Sequence, residues 1–137
     1  MKTERRRGYV ETSRDAADPR LRGRTYSVPF EEVWQAALKL TDGGLFRWTR
    51  HEADDTEGVI LASAKSLAGA VHDVMIRITL DEDAQTRVDA SAQARNPLSD
   101  MGRAKRRVRR FCRALDRTIA RNRRDAARKA KREAAKT

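Results

Sequence analysis

The sequence predicts an α+β fold in which two helices pack on one face of an antiparallel sheet. Two segments, Val71–Leu80 and Thr86–Ala94, alternate apolar and polar residues with the period of two that a half-buried strand requires. Residues 29–40 and 101–119 instead repeat apolar residues at helical spacing. The connections between the predicted strands are short, so neighbouring strands are expected to pair antiparallel.

The predicted order of elements is β-α-β-β-β-β-α, and it follows a polar N-terminal segment. Residues 1–24 are predicted to be a disordered basic arm, because they contain little to bury. Thr25–Val28 is a short β-prone segment, and Pro29 then opens a helix with two glutamates in its first turn. The helix is expected to stop at Gly43-Gly44. Its apolar face consists of Phe30, Val33, Trp34, Ala37 and Leu40.

Four longer strands are predicted to follow the first helix. In the first of them Phe46 and Trp48 share one face, and in the third Val74, Ile76, Ile78 and Leu80 do so. The acidic segment Asp81–Asp83 is predicted to be the loop of a hairpin between the last two strands. The predicted strands are Leu45–His51, Gly58–Ala64, Val71–Leu80 and Thr86–Ala94.

A second helix is predicted after Asn96-Pro97, with Ser99 or Asp100 as its N-cap. Past Ala120 its apolar face contains only alanines, which favour helix but add little core. The chain therefore divides into a domain at residues 25–120 and a basic helical or frayed tail at residues 121–137. The predicted apolar face of the helix consists of Met101, Ala104, Val108, Phe111, Leu115 and Ile119.

Charge is distributed very unevenly along the 137 residues. Residues 101–137 carry 16 Lys or Arg against 3 Asp or Glu, whereas residues 29–100 carry 7 against 13. A strongly basic helix on an acidic body indicates a polyanionic partner. The residues predicted to contact it are Arg106, Arg107, Arg110, Arg113, Arg117, Arg121, Arg124, Arg128 and Lys131.

Nucleic acid ranks first among such partners, and contact is expected to be independent of base sequence because no reader motif is present. An anionic membrane surface ranks second, since the basic segment lacks the Trp, Phe or Leu face that interfacial helices insert. A solvated tail without a dedicated partner is the remaining interpretation. The single Cys112 and the absence of a secretory signal or a long apolar segment lead us to expect a cytoplasmic protein.

Three segments resemble a bacterial family catalogued as domain of unknown function 1499. They are DPRLRGRTYSVPFEEVWQAALKL at Asp18–Leu40, HDVMIRI at His72–Ile78, and the turn Ser99–Gly102 followed by two arginines. The resemblance covers roughly residues 18–118 and supports the fold, because the family has no established activity to carry over. Two positions depart from its pattern: Ala104 stands where Asn is common, and His72 where an acid is usual.

The turn before the second helix is a candidate polar site formed by Ser99, Asp100, Gly102 and His72. Free N–H groups at a helix start, with arginines beside them, could hold a phosphate or carboxylate. The favoured interpretation is an ordinary N-cap, with His72 partly buried and hydrogen-bonded. Cys112 is interpreted as a small buried hydrophobe. We predict no catalytic residue, metal site or cofactor, and hence a non-enzymatic protein.

Two alternative functions remain open from the sequence. Thr25–Leu40 also resembles the opening of helix-grip lipid-binding proteins, which suggests a carrier of small hydrophobic ligands with a cavity over Ala90, Ala92 and Ala94. An enzyme would instead require a cleft that joins His72 and Asp73 to the Ser99 turn.

Overall fold

The computed structural model describes residues 7–136, apart from the side chain of Ser99, and shows the predicted α+β architecture. Six antiparallel strands form one sheet. A π-turn follows the first helix, and 3₁₀ turns precede the second strand and the second helix. The elements are β1 (Tyr9–Glu11), β2 (Arg24–Tyr26), α1 (Phe30–Lys39), β3 (Trp48–Asp54), β4 (Val59–Lys65), β5 (Val71–Leu80), β6 (Thr86–Ala94) and α2 (Arg103–Ala135).

The sheet has the order β1-β6-β5-β4-β3, and β2 also pairs with β6. β1 pairs with residues 91–93 and β2 with residues 86–88, so the two short strands follow one another along the same edge of β6. The hairpins β3-β4, β4-β5 and β5-β6 complete the sheet in chain order. Both helices are amphipathic and cover the same, inner face of the sheet.

The structure corrects the predicted disorder of the N-terminal arm, because residues 7–24 of that arm are ordered and include β1. The strand pairs with β6 through backbone hydrogen bonds, and its Val10 packs against the core. Thr12 extends this edge: its N–H donates to the carbonyl oxygen of Ala90 at 2.8 Å, and its hydroxyl donates to Asp89. A segment with so few apolar residues gives no periodic signal, so its strand depends on a partner that is distant in sequence. Residues 1–6 lie outside the described part of the chain.

The core lies between the inner face of the sheet and the helices. Phe111 of α2 is completely buried and stacks on Trp48, with 6.1 Å between ring centroids. Ala90 and Ala92 of β6 are buried in the same cluster, so these short side chains let α2 approach the sheet closely. The inner-face residues of the central strands are Ile60, Val74, Ile76, Ile78 and Val88.

Three apolar residues that were assigned to the core are exposed. Phe46 is 65% exposed because β3 begins only at Trp48, and Arg47 between them has a φ of 65° that reverses the expected alternation. Met101 is 85% exposed because it precedes the first turn of α2. Leu80 is 62% exposed because it ends β5 at the hairpin. The remaining predicted core residues of α2, from Ala104 to Ile119, are buried.

Candidate nucleic-acid interface

The solvent face of α2 carries one continuous row of basic side chains. Because successive residues turn by about 100°, eight of the nine predicted contact residues fall within an arc of about 80°. All eight side chains are exposed, and the arc lies opposite the buried face of the helix. With a rise of 1.5 Å per residue, the row is roughly 37 Å long. We call it the cationic row: Arg106, Arg110, Arg113, Arg117, Arg121, Arg124, Arg128 and Lys131.

The charges of the cationic row are not neutralised by salt bridges within the described residues. Across residues 7–136, no member of the row forms a salt bridge. Asp116, on the flank of α2, is already occupied, because it accepts hydrogen bonds from Arg24 Nε at 2.9 Å and from the Tyr26 hydroxyl at 2.6 Å. Anions from outside the protein therefore meet uncompensated charge along the whole row.

The fold holds only the first half of α2 against the body. Leu115 and Ile119 are the last buried residues of the helix, and the helix then continues to Ala135 with almost entirely exposed side chains. The structure therefore shows the predicted basic tail, residues 121–137, as a helical continuation of α2 as far as Ala135. Half of the cationic row is thus fixed to the domain, and the other half projects from it.

Two adjoining cavities lie beside the fixed half of α2. The larger, about 510 Å³, lies between the helix and Leu45; the smaller, about 230 Å³, lies between the helix and Ser66. Leu45 and Ser66 come from neighbouring segments, because the Lys65 N–H donates to the carbonyl oxygen of Arg47. Arg106 and Arg110 line both cavities. We call this feature the arginine groove, and its remaining basic lining residues are Arg103, Arg107, Arg109, Arg113 and Arg117.

Arg107, the ninth predicted contact residue, faces a different environment. Its side chain is half-buried, and its Nε–H donates to His72 Nδ1 at 3.4 Å. Burial and the neighbouring guanidinium groups of Arg110 and Arg103 lower the pKa of Arg107. The guanidinium groups of Arg103 and Arg110 lie beside Arg107 in the groove, so a bound anion would reduce the repulsion among them.

The predicted polar site at the start of α2 brings His72 and Asp100 together. His72 Nε2 lies 2.6 Å from Asp100 Oδ1, and Asp100 Oδ2 accepts the backbone N–H of Ala104 at 3.1 Å. Because Arg107 donates to Nδ1, the proton of a neutral His72 must be on Nε2, from which it is donated to Asp100. Gly102 contributes a left-handed turn with a φ of 79°.

The predicted N-cap, Ser99 or Asp100, is corrected, because the N-cap of α2 is Gly102; Asp100, two residues earlier, accepts the free Ala104 N–H of the helix start instead. The Asp100 carboxylate occupies the position at the α2 N-terminus that an external anion would need. The neighbouring cavity has a volume of about 370 Å³ and is lined in part by His72, although the His72 side chain is only 1% exposed. The side chain of Ser99 lies outside the described part of the structure, and Asp73 points to the opposite face, where it pairs with Arg95.

Removing the Asp100 carboxylate is expected to destabilise the protein strongly. The Asp100→Ala variant leaves the buried His72 N–H and the Ala104 N–H without partners, so we expect a loss of about 2–4 kcal/mol in the free energy of unfolding. Asp73→Ala is the matched control, since it breaks an exposed pair and is expected to cost less than about 1 kcal/mol. Urea unfolding of both variants measures the difference, and equal losses would contradict the assigned role of Asp100.

One family profile matches residues 6–115, and its description is protein of unknown function (DUF1499). The chain belongs to this family. The predicted resemblance is confirmed, and the match begins at residue 6 rather than residue 18, so it includes β1. The match ends at Leu115, which leaves the cationic row from Arg117 onward beyond the matched part of this DUF1499 protein. No curated protein matches the chain.

Two further findings on the DUF1499 chain concern membrane-spanning helices and metal-binding groups. Within residues 7–136, no helix is both long and apolar enough to cross a membrane. The same described range contains no group of three or more His, Cys, Asp or Glu side chains placed to hold a metal ion.

Cys112 is a buried component of the α2 packing face, as the sequence predicted. Burial raises the pKa of its thiol from 9.0 to about 11. Because the reactive form of cysteine is the thiolate, this environment keeps Cys112 unreactive near neutral pH.

The raised thiol pKa predicts a pH dependence of stability. Between about pH 9 and pH 11 the thiol ionises in the unfolded chain but not in the folded one, so the free energy of unfolding falls as pH rises. From pH 8 to pH 10 we expect the wild type to lose about 1 kcal/mol more than Cys112→Ala, which lacks the titrating group. Urea unfolding at both pH values makes this comparison, and parallel losses in the two proteins would contradict burial as the cause.

Sequence reasoning did not identify the second wall of the arginine groove. Leu45 and Ser66 lie at least 37 positions before the first residue of α2 in the sequence. Neither side chain carries a charge that would indicate a shared site with the arginines of α2. Arg103 and Arg109 were counted in the net charge but were not singled out as contact residues. The pairing of β3 with β4, and of β4 with β5, brings these residues together.

Proposed function

We propose that this protein is a non-enzymatic binding protein whose helix α2 contacts the phosphate backbone of nucleic acid without reading base sequence. The observation that carries the proposal is the cationic row, which is exposed, forms no salt bridge with residues 7–136 and is placed opposite the buried face of α2. Such a row neutralises phosphates and releases their counterions, which supplies sequence-independent affinity.

The composition of the projecting half of α2 favours nucleic acid over a membrane as the partner. After Ile119 its apolar residues are alanines alone, so the helix has no large side chain to insert into a bilayer. A long line of guanidinium groups matches the repeated phosphates of a nucleic-acid backbone, to which arginine binds in bidentate geometry. The proposal includes a cytoplasmic location, where a lone buried thiol such as Cys112 stays reduced.

A salt series tests the proposal directly. Full-length protein is titrated into a random-sequence duplex, a single-stranded RNA and anionic vesicles at several salt concentrations. We expect affinity for nucleic acid to fall linearly on a log–log plot against salt, with little dependence on base sequence. Nucleic-acid affinity that does not change with salt, or tight binding to vesicles alone, would overturn the proposal.

A further inference from the structure

Phe46 is an exposed aromatic residue that is adjacent in the chain to a lining residue of the arginine groove. It directly follows Leu45, which lines the larger cavity together with five arginines of α2. The Phe46 side chain is 65% exposed, and the guanidinium carbon of Arg47 lies 5.9 Å from the centre of its ring. A cluster of guanidinium groups therefore lies close in the chain to an aromatic ring that is largely open to solvent and has the Arg47 guanidinium over one face.

The backbone holds Phe46 in this exposed position. The residues on either side of the turn, Leu45 and Trp48, are both buried, and the Trp48 N–H donates to the carbonyl oxygen of Leu45 at 3.1 Å. Arg47 has a φ of 65°, a left-handed conformation that is costly for a residue with a Cβ atom. The surrounding hydrogen bonds stabilise this strained turn, so the ring of Phe46 is presented to solvent in a fixed place.

We propose that Phe46 is a stacking platform for an unpaired base and that the protein prefers single-stranded over double-stranded nucleic acid. This inference rests on the proposed function, since the arginines beside Phe46 would bind the phosphates of the same strand. Aromatic rings next to a basic channel are the general means by which proteins hold single strands without sequence preference. Bases in a duplex are stacked on their neighbours and have no free face for Phe46.

The shape of the site favours a strand over a bilayer. The larger cavity, about 510 Å³, lies within the general size range of ligand pockets, and arginines form one of its walls. A flexible strand can place a phosphate in such a groove and a base on the adjoining ring, whereas a flat bilayer surface cannot enter it. Stacking by Phe46 also adds the base contact that α2 itself lacks, because α2 has no aromatic residue after Phe111.

Fluorescence anisotropy with the full-length protein tests this inference. The probes are a labelled 12-nucleotide oligouridylate and a 12-base-pair duplex of random sequence at one salt concentration. Phe46→Ala is expected to weaken single-strand binding by about 5- to 100-fold, the effect of losing one stacked base, and to change duplex affinity by less than about twofold. Phe46→Tyr retains a ring and should bind as the wild type does. Leu80→Ala, which shortens an exposed leucine at the β5-β6 hairpin away from the groove, is the matched control and should have no effect.

The outcomes separate this inference from the function on which it rests. If Phe46→Ala binds the oligouridylate as tightly as the wild type, with the same salt dependence, the stacking role is wrong and the cationic row alone carries binding. If the wild type binds neither probe, the proposed function fails, and the inference fails with it. A Phe46→Ala variant that loses affinity only for vesicles of phosphatidylserine and phosphatidylcholine would identify a membrane contact and overturn the preference for single strands.

Discussion

We expect affinity for random-sequence nucleic acid at 0.1 M salt to fall on the order of 10²- to 10³-fold when five cations of the row become glutamine. Each lost phosphate contact removes the release of about 0.7–0.9 counterion, so for five contacts the slope of log affinity against log salt should become shallower by about 3.5 to 4.5. The side chains are exposed and form no salt bridge within the described part of the chain, so stability should hardly change. The five substituted residues are Arg117, Arg121, Arg124, Arg128 and Lys131.

A second variant with the same loss of charge shows whether position in the row matters. It replaces five cations that lie on other sides of α2, and it should retain most of the affinity if the row faces the nucleic acid. Equal losses in the two variants would mean that only net charge counts, and would contradict a defined contact face. The control substitutions to glutamine are at Lys105, Arg123, Lys129, Arg132 and Lys136. Two of them also break a partly exposed salt bridge, Lys105 to Asp18 and Arg123 to Glu32, each worth at most about 1 kcal/mol of stability.

The cationic row could be predicted from the sequence because it shares its period with the core face of the same helix. Val108, Phe111 and Leu115 fix which side of α2 is buried, and the arginines three and four residues apart then lie on the other side. The same local logic predicts β5 and β6, whose alternation of buried and exposed residues is nearly perfect. Where the burial of a residue depends only on its position within its own helix or strand, the periodicity of that helix or strand is enough to predict it.

The rest of the candidate site depends on contacts between distant segments. β1 becomes a strand only because β6 offers it an edge, and its own three residues have no periodic pattern. Phe46 was assigned to the core because simple alternation places it beside Trp48, and the left-handed turn at Arg47 that separates them has no mark in the sequence. His72 and Asp100 were both assigned to a polar site, but their 2.6 Å contact requires the end of β5 and the start of α2 to meet.

Truncating Phe111 is expected to produce the largest loss of stability of any single substitution considered. Phe111→Ala removes a completely buried ring that stacks on Trp48 at the centre of the contact between α2 and the sheet. Removing such a ring from a packed core typically costs about 3–5 kcal/mol, partly as lost transfer free energy and partly as the cavity that remains. That loss is a large share of the total stability of a small domain. Urea unfolding measures it, and Leu80→Ala, at an exposed position, should cost less than about 0.5 kcal/mol.

The same Phe111→Ala variant distinguishes the contribution of the cationic row to binding from that of the arginine groove. The cationic row belongs to one helix and persists wherever α2 is helical, whereas the arginine groove exists only while α2 packs beside Leu45 and Ser66. As denaturant loosens the core, we expect the preference for single strands to disappear while salt-dependent binding remains. Anisotropy with the two 12-unit probes at increasing urea measures both properties in one titration. A simultaneous loss of the two would show that the row, like the groove, requires the packed domain.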